Sequence, residues 1–187
     1  MTFENEKKQC LEKLDKSKKG SIDKAILPLI NKINLSKDYY STSSCSGRIV
    51  LLTRPDNNKK NQISWFLVSH DEVSLDQLKQ ALSNLPKDLL WLRQESCIIH
   101  ICARTIEHAI RLINYFQEQG FKRTGLVSSS SRHIVEVMTT DSMDAPIAKD
   151  GKFIVSDSYL EILLKEANRK LQRTKEKIKG ILFPFDE

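Results

Sequence analysis

The chain has 187 residues, 40% hydrophobic and 29% charged, with a formal net charge of +6 and a pI near 9.1. That length suits one domain or two small ones sharing a core, and the composition excludes a disordered chain. No apolar run approaches the ~20 residues of a bilayer span, and the opening MTFENEKKQC lacks the apolar stretch of a secretory signal.

Residues 2–19 are polar with weak helical spacing at Cys10, Leu11 and Leu14, and Gly20 ends them. Ser21 is placed to cap a helix over 22–34, whose apolar stripe is Ile22, Ala25, Ile26, Leu29, Ile30 and Ile33. Pro28 inside it predicts a kink or a late start. Residues 39–43 read as a short strand, and 48–53, with Ile49, Val50, Leu51 and Leu52 in sequence, as a buried one. RPDNNKKN (54–61) is a turn by composition, and 63–70 is the partner strand of a hairpin. A helix follows over 73–82, closed by Pro86. SCIIHICA (96–103) is a second buried strand. Thr105 caps a helix reaching Gln119, with Ile106, Ala109, Ile110, Ile113 and Phe116 on one face and Gly120 beyond its end. Residues 122–130 and 133–138 form a second hairpin, TTDSMDAP (139–146) a loop, and 152–155 a short strand. Ser158 and Glu161 have the spacing of a capping box for the last helix, with its stripe at Leu160, Leu163, Leu164, Ala167, Leu171 and Ile178.

The order of elements over 22–86 resembles that over 105–179, and TSSCSGRIVLL (42–52) lies beside VSSSSRHIVEV (127–137). An internal duplication of a strand–helix unit is one reading, with the two halves sharing one core within a single domain; coincidence in a serine-rich chain is the other. Hairpins mixed with helices predict an α/β or α+β fold with helices flanking the sheets, rather than a doubly wound parallel sheet.

Four cysteines (Cys10, Cys45, Cys97, Cys102) without a CxxC pair argue against a disulfide scaffold, a zinc ribbon or a thioredoxin-type site. They suit a cytoplasmic protein with reduced thiols. The densest polar constellation is Ser43-Ser44-Cys45-Ser46-Gly47-Arg48. Small hydroxyls and a glycine let backbone N–H groups approach an anion, and Arg48 offers a planar fork to phosphate or carboxylate. The plainer reading is a serine-rich turn with a surface arginine. Cys45 has the chemistry of a nucleophile, but no motif supplies the base that would form its thiolate. His70 ends a strand, and His100 shares a strand face with Ile98 and Cys102; each is a candidate for proton transfer. No metal-ligand spacing supports a site on His70, His100 and Cys102. His108 and His133 read as exposed.

From Lys165 to Lys179, seven basic residues face two acids, so this segment alone carries +5. Lys165, Arg169, Lys170, Arg173 and Lys177 are the candidate contacts to a polyanion such as RNA. A solvated lysine-rich helix is the plain alternative. No GxxxxGK[ST] or GxGxxG occurs, which removes a Rossmann-type nucleotide site and its methyltransferase variant, and no GxSxG elbow is present.

Taken together, KKGSID (18–23), YYSTSSCSGRI (39–49), SWFLVSH (64–70), CIIHICAR (97–104), GFKRTGL (120–126), VEVMTTDSMDAPI (135–147) and YLEILLKEANRKL (159–171) resemble the wybutosine-synthesising protein 3 family, the tRNA methyltransferases of the wyosine pathway. Met138 and the serine run 128–131 depart from the eukaryotic members, and the acidic VEV…MDAPI stretch (135–147) is similar to the archaeal branch. The resemblance implies S-adenosylmethionine-dependent methylation of a ring nitrogen (N4) of a tricyclic guanine derivative. That base lies 3′ of the anticodon in tRNA-Phe, and no metal is implied. By match, Ser43, Ser44, Cys45, Gly47 and Arg48 form the conserved pocket, with His70 and His100 as polar neighbours; Pro146 and Asn168 also match. Trp65, Tyr39 and Tyr40 are candidates to stack on the base. The rival readings are a non-catalytic RNA-binding module and a small-molecule enzyme with an incidental basic helix.

Overall fold

The computed structural model describes residues 2–12, 22–53 and 63–185. The proposed end of the first helix at Gly20, the Ser21 cap and the whole 54–61 turn lie outside them. The elements run α1 (Phe3–Leu11), α2 (Leu27–Leu35), β1 (Tyr39–Cys45), β2 (Arg48–Thr53), β3 (Ser64–Ser69), α3 (Leu75–Ala81), β4 (Leu90–Glu95), β5 (Ile98–Ala103), α4 (Ile106–Glu118), β6 (Gly125–Ser128), β7 (His133–Met138), β8 (Met143–Lys149), β9 (Lys152–Phe153) and α5 (Asp157–Lys179). The chain divides into two units. One comprises Met1–Ser46, Cys97–Thr140 and Thr174–Glu187; the other comprises Gly47–Ser96 and Asp141–Arg173.

The first unit carries a four-stranded antiparallel sheet in the order β1-β5-β7-β6. One face supplies Tyr39, Cys97, Ile99, Ile101, Ala103, Val135 and Val137 to a core completed by α2 and α4. Period-two alternation leaves Ile98, His100 and Cys102 of β5 on the other face. α2 begins at Leu27 with proline near its first position, so Pro28 gives a late start rather than a kink. α4 opens on Thr105, whose side chain accepts from His108 N, and closes through Gly120 at φ +88°. There Phe121 N donates to Phe116 O and Gly120 N to Gln117 O, while the Phe116 and Phe121 rings pack 5.5 Å apart. The buried stripe of α4 is Ala109, Leu112 and Phe116; Ile110, placed in the stripe by sequence, is exposed.

The second unit carries a five-stranded antiparallel sheet, β3-β2-β4-β8-β9. Its core draws on Ile49, Leu51, Leu78, Leu90, Leu92, Ile147, Leu160, Leu164 and Leu171. The central strand, β4, had no counterpart in the predicted elements, although Leu90, Leu92 and Gln94 alternate inward. Residues 143–149, expected within and beyond a loop, form β8. Pro146 is tolerated because the ladder shifts register there: Trp91 faces Pro146 while Leu90 faces Ala148. α3 starts on a full capping box of Ser74 and Gln77. The cap of α5 is Ser156, whose hydroxyl accepts from Tyr159 N at 3.2 Å, and not Ser158. Asn168 on α5 accepts from Val73 N at 2.9 Å and donates to Val73 O at 2.8 Å, pinning the helix to the approach to α3. Among the described residues no helix is long and apolar enough to cross a membrane.

Candidate active site

The SSCSGR segment spans the point where the chain passes from the first unit to the second. In the first unit, β1 begins in plain antiparallel register with β5: Tyr39 faces Ala103, Tyr40 faces Cys102 and Ser41 faces Ile101. Continued, that register would set Thr42 opposite His100. A shift between Ser41 and Ser43 brings Ser43 there instead. His100 in turn faces Glu136 on β7. Directly opposed residues share a face, so Ser43, His100 and Glu136 form a polar row across three strands. Ser43 Oγ lies 2.7 Å from His100 Nδ1, and His100 Nε2 lies 2.8 Å from Glu136 Oε2. Ser43 is exposed, whereas His100 and Glu136 are half-buried. Cys45, Ile98 and Met138 make the next row on one side, and Tyr40, Cys102 and Ile134 the next on the other.

Beyond Ser43, Ser44 and Cys45 are half-buried and Ser46 is buried. Ser46 donates its backbone N–H and its hydroxyl to Asp23 Oδ2, at 2.8 and 3.0 Å. Asp23 itself is only 5% exposed. Its sequence signal was the acid of KKGSID, two residues past the expected cap.

Tyr39 and Tyr40 are core residues rather than stacking platforms. Tyr39 donates to His108 O at 3.1 Å, and burial pushes its phenol up to about 12. Burial also raises the Tyr40 phenol and the neighbouring Cys102 thiol, which keeps Cys102 protonated and unreactive. His100 has both ring nitrogens within hydrogen-bond distance of Ser43 and Glu136, and Cys102 lies 3.9 Å from Ala103 O. His108 is half-buried, 3.3 Å from an Asp38 carboxylate oxygen, and His133 is half-buried as well. Neither is the exposed residue the sequence suggested.

In the second unit, Gly47 turns the chain at φ +96°, a left-handed conformation that favours glycine. Its carbonyl accepts from His70 Nδ1 at 3.1 Å, which sets the tautomer of His70. Arg48 Nε donates to Glu95 Oε2 at 2.6 Å, and the guanidinium lies 5.1 Å over the ring of Trp65. Trp65 remains 42% exposed. Arg93 pairs with both Glu95 and Asp144. The Arg48 fork is thus already oriented by its own sheet.

On α5, Lys165, Arg169 and Arg173 are exposed, and Lys170 and Lys177 are half-buried. Arg169 makes a two-pronged contact with Glu166 at 2.7 Å from Nε and from a terminal nitrogen, and Lys170 reaches the same acid at 3.7 Å. Arg173 lies 3.7 Å from Asp141. Lys165 and Arg169 also line a groove of about 480 Å³ with Glu72, Val73 and Asn168. Part of the basic charge counted in the sequence is therefore spent within the helix.

The Methyltransferase TYW3 family model matches residues 5–184. A Thermococcus sibiricus protein named tRNA(Phe) 7-((3-amino-3-carboxypropyl)-4-demethylwyosine(37)-N(4))-methyltransferase is 38% identical over 96% of this chain and 92% of its own length. A Pyrococcus abyssi protein of the same name, numbered 1, is 40% identical over 95% and 92%. The solved PH1069 protein of Pyrococcus horikoshii superposes with a TM-score of 0.88 at 37% identity, covering 95% of this chain and 93% of that one. A likeness of this extent, running through both units and through the segment that carries Ser43 and Arg48, makes the chain a member of the TYW3 methyltransferase family.

Proposed function

We propose that this chain transfers a methyl group from S-adenosylmethionine to N4 of the tricyclic base at position 37 of tRNA-Phe. The observation that carries the reading is the end-to-end likeness to relatives named for that reaction. Ser43, Ser44, Cys45, Gly47 and Arg48 are the residues we assign to the pocket that takes the methyl donor or the substrate base. Ser46 is already occupied by Asp23 and the Ser43 hydroxyl lies 2.7 Å from His100 Nδ1, which leaves the Ser44 hydroxyl as the donor of this run, followed by a glycine that allows close approach of backbone. That chemistry fits the hydroxyl- and carboxylate-bearing ends of a nucleoside–amino-acid conjugate. When bound, such a donor supplies an electrophilic methyl on a sulfonium sulfur.

The residues of this chain then have two tasks. They align the acceptor nitrogen for in-line displacement, where positioning outweighs nucleophilic side chains. They also accept the proton of the ring N–H, for which His70 and His100 are the candidates. Trp65, exposed and backed by Arg48, is the aromatic residue suited to stacking on an unpaired base. Lys165, Arg169, Lys170, Arg173 and Lys177 are assigned to the tRNA backbone.

The test is transfer of a labelled methyl from S-adenosylmethionine to tRNA purified from a strain lacking this protein, read by nucleoside mass spectrometry. A gain of one methyl on the tricyclic base is expected. Tight tRNA binding without transfer would instead describe an RNA-binding module.

A further inference from the structure

We infer that Ser43, His100 and Glu136 form a proton relay for the methylation, with Ser43 as the group that meets the ring N–H and Glu136 as a positioning residue. The inference deepens the methyltransferase reading and rests on it. Three observations carry it. Two hydrogen bonds, 2.7 and 2.8 Å, join the three side chains in series. A register shift in β1 replaces Thr42 by Ser43 opposite the histidine, so the alignment depends on a local irregularity that the rest of the ladder lacks. The serine end is exposed, while the other two side chains keep only 28% and 29% of their surface.

A carboxylate only accepts hydrogen bonds, so the proton between His100 and Glu136 sits on Nε2. Neutral His100 then has a bare Nδ1, and the Ser43 hydroxyl donates to it. Glu136 thereby selects the tautomer in which His100 can take a proton from Ser43. In the reaction the ring nitrogen gains the methyl, and the pair of the broken C–S bond stays with the donor sulfur. The N–H bond leaves its pair on the ring nitrogen. Its proton passes to Ser43 Oγ while the Ser43 hydroxyl proton moves to Nδ1. His100 then carries a proton on each nitrogen, and its positive charge lies against the Glu136 carboxylate.

The chain has four histidines, so their ring nitrogens can be resolved individually by long-range proton–nitrogen correlation on the full chain, with His100→Ala identifying the relevant pair. In the parent, Nε2 of His100 is expected to be protonated and Nδ1 bare. Glu136→Leu should mix the two tautomers and lower kcat by about tenfold or more, with KM for tRNA unchanged. Glu136→Gln keeps an acceptor for Nε2 without the charge. It should retain the parental tautomer and still lose kcat. An unchanged tautomer in Glu136→Leu, or parental kcat in either variant, overturns the relay while leaving the methyltransferase reading intact. A parent that transfers no methyl to tRNA overturns both.

Discussion

Ser46 gives both of its hydrogens to a single carboxylate oxygen of Asp23, at 2.8 Å from nitrogen and 3.0 Å from oxygen, with both residues buried. The contact fixes the end of the SSCS run. Asp23→Ala strands a buried N–H and a buried hydroxyl together, which costs about 1–3 kcal/mol for each unsatisfied group. The denaturant midpoint should fall with no change in slope. An unaltered midpoint would mean that the two bonds contribute nothing net to the fold.

Tyr39 makes a pH-dependent contribution whose sign follows from its environment. Its phenol is raised from 10.0 to about 12, chiefly by burial. The folded state therefore keeps this proton through a window in which the unfolded chain releases it. The stabilisation is complete below pH ~10 and is lost as pH rises toward 12, by an amount on the order of 2 kcal/mol. Tyr39→Phe gives up the hydrogen bond to His108 O, about 1 kcal/mol at neutral pH. It should also lose less stability than the parent between pH 10 and 12. Parallel urea midpoints for the two proteins across that window would contradict the assignment.

Some of this architecture is legible in the sequence and some is not, for identifiable reasons. β2 is a continuous apolar run, so burial on both faces identifies it, whereas β5 is identified by Ile99, Ile101 and Ala103 on its core face, with His100 on the other. β4 alternates Leu90, Leu92 and Gln94 with Trp91, Arg93 and Glu95, and its single tryptophan and mixed charges hide the period. β8 carries a proline, which reads as a breaker until the register shift at Trp91 accommodates it. Ser43 and His100 were each visible as candidates, but their pairing joins residues 57 apart through an irregular register. Glu136 had no signal of its own, since a lone acid on an alternating strand usually faces water. The two units were not legible either, because each is assembled from separate stretches of chain.

The cysteines separate into two classes. Cys10 and Cys45 are half-buried, whereas Cys97 and Cys102 are buried, and burial raises the Cys102 thiol. Thiolate is the reactive species. Under native conditions an alkylating reagent should modify Cys10 and Cys45 promptly, and Cys97 and Cys102 only on unfolding. Peptide mass spectrometry reads the order directly; early labelling of Cys102 would contradict its buried, protonated state.

Lys165, Arg169 and Arg173 recur every fourth residue on α5 and are exposed, which sets them along one face. Neutralising all three with glutamine should lower the slope of log affinity against log salt for tRNA by about 2–3. Glu166 opposes that face, because it holds Arg169 and Lys170 and its own carboxyl is drawn below the usual range by Arg169 first. Glu166→Gln should therefore steepen the slope and tighten binding. If both variants keep the parental slope, this stretch of α5 is a solvated surface and the tRNA backbone lies elsewhere.

Arg48 allows structure and chemistry to be separated. Its bond to Glu95 and its place over Trp65 leave the side chain 31% exposed. Screening reduces such an ion pair to about 0–1 kcal/mol, and an exposed cation–π contact adds about 0.5–1. Arg48→Ala should thus lower unfolding free energy by no more than about 2 kcal/mol, leaving the protein folded. An oriented guanidinium lost from a reaction site costs far more in rate, on the order of 10²-fold. Lysine cannot reproduce the fork that meets Glu95 while covering the indole, so Arg48→Lys should fail to restore turnover. Methyl transfer measured alongside urea unfolding of both variants separates the two roles. A folded Arg48→Ala protein with near-parental turnover removes Arg48 from the site and reduces it to a support for Trp65. Loss of turnover at nearly full stability places the guanidinium in the chemistry.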